Sequence, residues 1–141
     1  GVARPERVRP IAQALKVLGD GRAAVVHGGG MEEVALHSVT HVAELREGEI
    51  TSYQLSPDDL GLSYHPQEAL AGGTPEENRD ILARLLQGKG ELAHEEAVAA
   101  NVALLLKIFG HEDLRQNAQQ ALETIRSGQA YKHVVALAAR G

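Results

Sequence analysis

Residues 25–34 read Val-Val-His-Gly-Gly-Gly-Met-Glu-Glu-Val, and they carry most of what could do chemistry in this chain. Two β-branched residues suit the end of a strand. Glycines directly behind a strand let the backbone turn sharply and approach a ligand closely, with amides free to meet anionic oxygens. The adjacent carboxylates Glu32 and Glu33 would repel such an anion unless a cation stood between them. The combination points to Mg²⁺ bridging carboxylates and a phosphate, partly through water as that ion prefers. The plainer reading is a connecting loop whose glutamates open the next turn.

Two other chemistries can be weighed against this one. His27-Gly28-Gly29-Gly30 spells the oxyanion-hole run of lipases and esterases, but that reading needs a Gly-x-Ser-x-Gly elbow downstream and the chain has none. His37 and His41 stand four apart and would share a face only on a helix. Val39, Thr40 and Val42 favour a strand there, which speaks against zinc. His65, His94, His111 and His133 are scattered and read as surface or capping residues.

The elements that would position the loop can be read from periodicity. Val8, Ile11, Ala12, Leu15 and Leu18 recur at helical spacing with Gly19 behind them, so a first helix ends there. Pro10 implies that this helix either kinks or begins near it. Ala23 to His27 reads as a short buried strand, and Thr40–Arg46 and Glu49–Leu55 as a hairpin joined by Glu47-Gly48. The stretch Ser56–Gln67 has the composition of a loop or short turn.

From there on the pattern is helical. Thr74-Pro75-Glu76-Glu77 spells a capping box, opening a helix that should turn Ile81, Leu82, Leu85 and Leu86 inward and stop at Gly88. A second helix from about Glu91 to Phe109 is apolar nearly all round from Val102 onward, which implies burial on several sides. A third carries Leu114, Ala118, Ala121, Leu122 and Ile125, and a fourth Tyr131, Val134, Val135 and Ala138. The expected fold class is α/β, with a short sheet and hairpin followed by a run of helices. Three strands are a small platform for so many helices.

Bulk properties narrow the function classes. At 141 residues the prior is one domain, able to bury roughly 70% of its unfolded surface. Composition is ordinary for a globular protein, at 43% hydrophobic and 23% charged, and the run Val102–Leu106 is far too short to span a bilayer, so no membrane segment is expected. A net charge of −5, with Arg4, Arg7 and Arg9 as the nearest thing to a basic cluster, argues against nucleic acid. The absence of cysteine excludes disulfides and thiolate metal sites and is compatible with the cytoplasm. The chain opens on Gly1 rather than Met, as a fragment or trimmed chain would.

Four ordered blocks say more than these properties. Residues 25–45, 48–62, 70–90 and 97–106 resemble successive blocks of the anthranilate phosphoribosyltransferases, and the resemblance covers essentially the whole chain, closest to the enterobacterial form. It implies a nucleoside-phosphorylase-like fold, of which residues 1–141 would be the carboxy-terminal part of the α/β domain. The helical domain, the first glycine-rich loop and the catalytic and anthranilate-contacting residues would then lie upstream. The implied reaction moves the phosphoribosyl group of phosphoribosyl pyrophosphate to anthranilate in tryptophan biosynthesis. This segment alone would be inactive; a non-catalytic binding or interaction module sharing the fold is the alternative.

The family carries an Asp-Glu pair behind its histidine-glycine loop, and those carboxylates organise Mg²⁺ on the pyrophosphate. Glu33 matches the glutamate, whereas Glu32 stands where aspartate is usual. The implied site residues are therefore Glu32 and Glu33 for the metal and His27, Gly28 and Gly29 for substrate. The resemblance also implies a homo-oligomeric full-length protein and a glutamine amidotransferase, the anthranilate synthase component, as a fused or associated partner.

Overall fold

The computed structural model describes residues 1–140. Its layering follows from which side each strand residue faces. Strands β1 (Arg22–Gly28), β2 (Thr40–Arg46) and β3 (Glu49–Leu55) form one antiparallel sheet in the order β1-β2-β3. In the register, Val25 pairs with Ala43 and Val26 with Val42. Successive residues point to opposite faces, so a strand covered on both sides must be apolar at consecutive positions, as β1 and β2 are.

Helix α1 (Val8–Leu18) covers one face, packing Val8 and Ala12 on Val25 and Ala43. The other face carries the larger core, where Val26 and Val42 meet α3 (Leu92–Ile108) and α4 (Leu114–Arg126). Alanines at 99, 100 and 103 of α3 and at 118 and 121 of α4 are buried there. Side chains this small let two helices and a sheet approach closely without voids. Helices α2 (Pro75–Leu86) and α5 (Gln129–Ala138) pack outside α4.

Local signals hold in detail. A 3₁₀ turn over Pro5–Arg7 leads into α1, so Pro10 is the helix's third residue. The first four N–H groups of a helix have no partner within it, and this proline therefore forfeits nothing. Gly19 ends the helix at φ 95°. The hairpin turn Glu47-Gly48 has φ of 50° and 79°, the positive pair that a two-residue type I′ turn requires. Thr74 accepts from the Glu77 amide while the Glu77 side chain returns to the Thr74 amide, completing the capping box. The loop after β3 is partly ordered as a 3₁₀ turn over Pro57–Leu60.

Two expectations need correction. Of the α2 residues expected inward, Leu85 is buried but Leu82 is 52% exposed. The all-round burial expected at the end of α3 fails too: Leu105 is 52% and Phe109 69% exposed, because the sheet and α4 cover one side of that helix only. Helix α5 has no buried residue. Among the described residues, no helix is long and apolar enough to cross a membrane.

Candidate functional site

The chemistry-bearing segment lies where β1 ends and β2 begins, at the Gly28–Thr40 edge of the register. Gly28 and Met31 exchange both backbone hydrogen bonds at 2.9 Å, and Gly29 and Gly30 between them have φ of 52° and 93°. This is a second two-residue turn with positive φ at both centres, conformations that favour glycine. It reverses the chain directly at the strand's end.

Beyond the turn, Val34, Ala35 and Leu36 enter the core, and the Ala35 amide donates to Thr40 Oγ1 at 2.9 Å. The exposed pair Glu32-Glu33 is thus carried on a short bridge between the turn and a buried plug. Neither carboxylate joins an ion pair among the described residues.

The turn is too tight for any other residue type at two positions. A Cβ on Gly28 would lie 2.6 Å from both the Glu33 carbonyl oxygen and Ala35 Cβ. One on Gly29 would overlap Ser38 Oγ and stand 2.6 Å from His37 Nε2. His37 Nε2 lies 3.0 Å from the Gly29 carbonyl and must donate to it, which leaves the other ring nitrogen, Nδ1, to find its own partner. That Nδ1 is buried with no partner.

His27 is 7% exposed, and both ring nitrogens are engaged. Nδ1 donates to the Val2 carbonyl at 3.0 Å, which leaves Nε2 to accept from the Gly30 amide at 3.4 Å. The geometry therefore makes His27 a brace for the turn rather than an open ligand. It also revises the idea of free amides: those of Gly28, Gly30 and Met31 are used within the loop. The same bonds occupy two of the three glycine amides that an oxyanion hole would draw on.

The structure thus brings His27, Gly28, Gly29, Glu32 and Glu33 into one loop. It does not bring a third metal-binding side chain to them, since no group of three histidines or carboxylates suited to a metal occurs among the described residues. Two unpaired carboxylates are hard oxygen donors and fit a Mg²⁺ ion that keeps most of its waters and takes its remaining oxygens from phosphate. They do not amount to a protein cage. His37 and His41 do not pair as zinc ligands: His37 faces Gly29, and His41 Nδ1 meets Gln54 Nε2 at 3.4 Å.

A groove of about 430 Å³ runs beside Glu33, walled by Met31, Val34, Leu70, Val98 and Leu105. Asn101 of α3 lies in it and bonds to the Val34 backbone. Sequence reasoning missed this residue. The available signal was that Asn101 is the one polar side chain between Ala97 and Leu106. His65 was also misread, for it is half-buried and holds Glu96 at 2.7 Å rather than lying on the surface.

The opposite end of β2 handles charge differently. Glu44 Oε2 accepts from Lys107 Nζ at 2.5 Å and from the Tyr53 hydroxyl at 2.6 Å, while Oε1 lies 3.2 Å from Arg46. Burial alone would raise the Glu44 pKa, but the Lys107 and Tyr53 hydrogen bonds and the two cations outweigh it and hold it below the ordinary carboxylate range. Burial, with the Glu44 hydrogen bond and charge added, pushes the Tyr53 hydroxyl well above its usual value.

Known proteins match this chain along its length. All 141 residues align with the anthranilate phosphoribosyltransferase of Erwinia tasmaniensis at 79% identity and with that of Serratia proteamaculans at 74%, covering 42% of each relative. The chain therefore spans less than half the length of these curated relatives. The crystal structure of anthranilate phosphoribosyltransferase from Thermus thermophilus superposes with a TM-score of 0.83 at 38% identity, over 93% of this chain and 39% of that one. The enzyme from Saccharomyces cerevisiae in complex with PRPP and Mg superposes at 0.85 with 28% identity, over 94% of this chain and 39% of that one. The model of the glycosyl transferase family, a/b domain, matches residues 1–131, and the chain belongs to that family.

Proposed function

We propose that the complete protein transfers the phosphoribosyl group of phosphoribosyl pyrophosphate to anthranilate, giving phosphoribosyl anthranilate and pyrophosphate, and that residues 1–141 form the carboxy-terminal part of its α/β domain. The observation that carries this reading is the pair Glu32-Glu33, exposed and unpaired on a braced loop at the sheet's edge. Buried Glu44, by contrast, is fully committed to Lys107, Tyr53 and Arg46. Identity of 79% to an anthranilate phosphoribosyltransferase over every residue supports the substrate assignment.

Glu33, with Glu32 beside it, would hold Mg²⁺ on the pyrophosphate side of the donor. The ion, when bound, neutralises the charge that builds on the departing pyrophosphate. The chain's own contribution is to hold two carboxylates at a fixed distance from the sheet. Gly28 and Gly29 keep side chains out of the approach, His27 braces the turn, and Thr40 anchors Ala35 behind it. The family likeness further supports a cytoplasmic homo-oligomer in tryptophan biosynthesis, working with a fused or associated glutamine amidotransferase.

The test is the loss of anthranilate fluorescence on adding phosphoribosyl pyrophosphate and Mg²⁺, measured on residues 1–141 and on the protein at the full length of its relatives. Activity in the longer protein alone is the expected result. Activity in neither would overturn the reading in favour of a binding module that keeps the fold without the chemistry.

A further inference from the structure

The bridge that carries Glu32 and Glu33 is held at both ends, and its second anchor comes from a residue 67 positions away. The Val34 amide donates to Asn101 Oδ1 at 3.0 Å. Asn101 Nδ2 donates to the Ala97 carbonyl at 2.9 Å within the same helix and reaches the Val34 carbonyl at 3.5 Å. An amide oxygen can only accept and its nitrogen can only donate, so these partners fix the side-chain orientation. The helix that supplies Asn101 is itself immobilised, with Ala99, Ala100 and Ala103 fully buried against the sheet and α4.

Between the Gly28–Met31 turn and this clamp, Glu32 and Glu33 make no backbone hydrogen bond among the described residues, although Gly1 abuts the Glu32 carbonyl. We propose that Asn101 is a positioning residue that fixes the Glu33 carboxylate for metal-bound pyrophosphate by gripping the peptide of the next residue, Val34, from helix α3. The inference rests on the metal role of the carboxylates given above. Without the grip, the carboxylates would sample many positions and must be ordered again each time the ligand binds. Groups bonded directly to a ligating side chain typically set metal affinity by about 10- to 100-fold, and Asn101, which grips the neighbouring peptide and not the carboxylate, acts less directly than those.

Asn101→Ser tests this in the full-length protein. Serine can still bond the carbonyl four residues back, Ala97, but is too short to reach Val34. The probe is Mn²⁺ with inorganic pyrophosphate, followed by water-proton relaxation, with amide exchange and melting temperature measured on the same samples.

The expected result is measurably weaker Mn²⁺ binding, faster exchange confined to residues 31–35, and a melting temperature lowered only by as much as the loss of one part-buried hydrogen bond accounts for. A merely structural contact would lower the melting temperature and leave metal binding unchanged, and that outcome overturns the proposal. Glu33→Gln runs beside it. Weakened binding in Glu33→Gln with none in Asn101→Ser removes the positioning role alone, whereas unchanged binding in Glu33→Gln removes the carboxylate reading and the positioning role together. Were Asn101→Ser not to fold, exchange in the unsubstituted protein decides: the Val34 amide should be far better protected than those of Glu32 and Glu33, and equal rates overturn the clamp.

Discussion

The two ends of strand β2 treat carboxylates in opposite ways. At the Arg46 end, Glu44 is buried and held by Lys107, Tyr53 and Arg46. At the Thr40 end, Glu32 and Glu33 are exposed and without a cation among the described residues, yet the backbone under them is pinned by a tight turn, by Thr40 and by Asn101. A charge with all its partners has nothing left for a ligand. A charge with none, on a backbone with many, is one that the fold keeps available.

The comparison breaks most severely at the turn. Gly29→Val combines a β-branched side chain at φ 52° with overlap onto Ser38, and it displaces the carboxylate bridge as a unit. Misplacement of about 1 Å costs about 100-fold in rate, so steady-state kinetics of the full-length protein should show a loss of that order. Kinetics at the unsubstituted level would make the turn only a connector. Glu33→Gln keeps the shape and removes one charge. It should lower turnover and raise the Mg²⁺ concentration for half-maximal activity, and an unchanged Mg²⁺ dependence would sink the metal role.

The opposite end should respond in stability and not in Mg²⁺ dependence. Lys107→Met leaves Glu44 buried with Tyr53 and Arg46, so the loss should fall below the 3–5 kcal/mol of a fully broken buried pair, at about 2 kcal/mol by urea unfolding. The half-maximal Mg²⁺ concentration should not move. The sign of the pH effect follows from Glu44, whose folded pKa lies below its unfolded one. Its contribution is present in full above the unfolded carboxylate value and is lost as pH falls through the folded value. Stability of Glu44→Gln should therefore be lower at neutral pH and fall less steeply on acidification. Parallel acid titrations of the two proteins would contradict this.

How much of this was legible in the sequence depended on whether the cause was local. The Glu47-Gly48 turn, the Gly19 cap and the Thr74 capping box rest on residues within four positions of each other, and their bounds follow from residue type alone. The site residues His27 to Glu33 were visible for the same reason, as one contiguous stretch. What was hidden depends on distance in the chain. Nothing at residue 34 announces that residue 101 will hold it, and nothing in His27 tells that both its nitrogens are engaged, one of them by Val2. Apolar periodicity also overstated burial at Leu82, Leu105 and Phe109, because it marks which residues could be covered and not whether a neighbour covers them.

The smallest expected effect sharpens the comparison at Glu32, where the family resemblance implies aspartate. Direct ligation demands an oxygen about 2.1 Å from Mg²⁺, and removing one methylene would then withdraw the carboxylate from its ion. A carboxylate that acts through an intervening water tolerates the change, because the water takes up the difference. The Glu32 side chain is exposed on the bridge and has room to adjust. Glu32→Asp in the full-length protein should therefore change the Mg²⁺ requirement by less than about threefold, consistent with water-bridged binding. A loss as large as that of Glu33→Gln would place both carboxylates directly on the metal, and the bridge would then need to present two adjacent side chains to one ion.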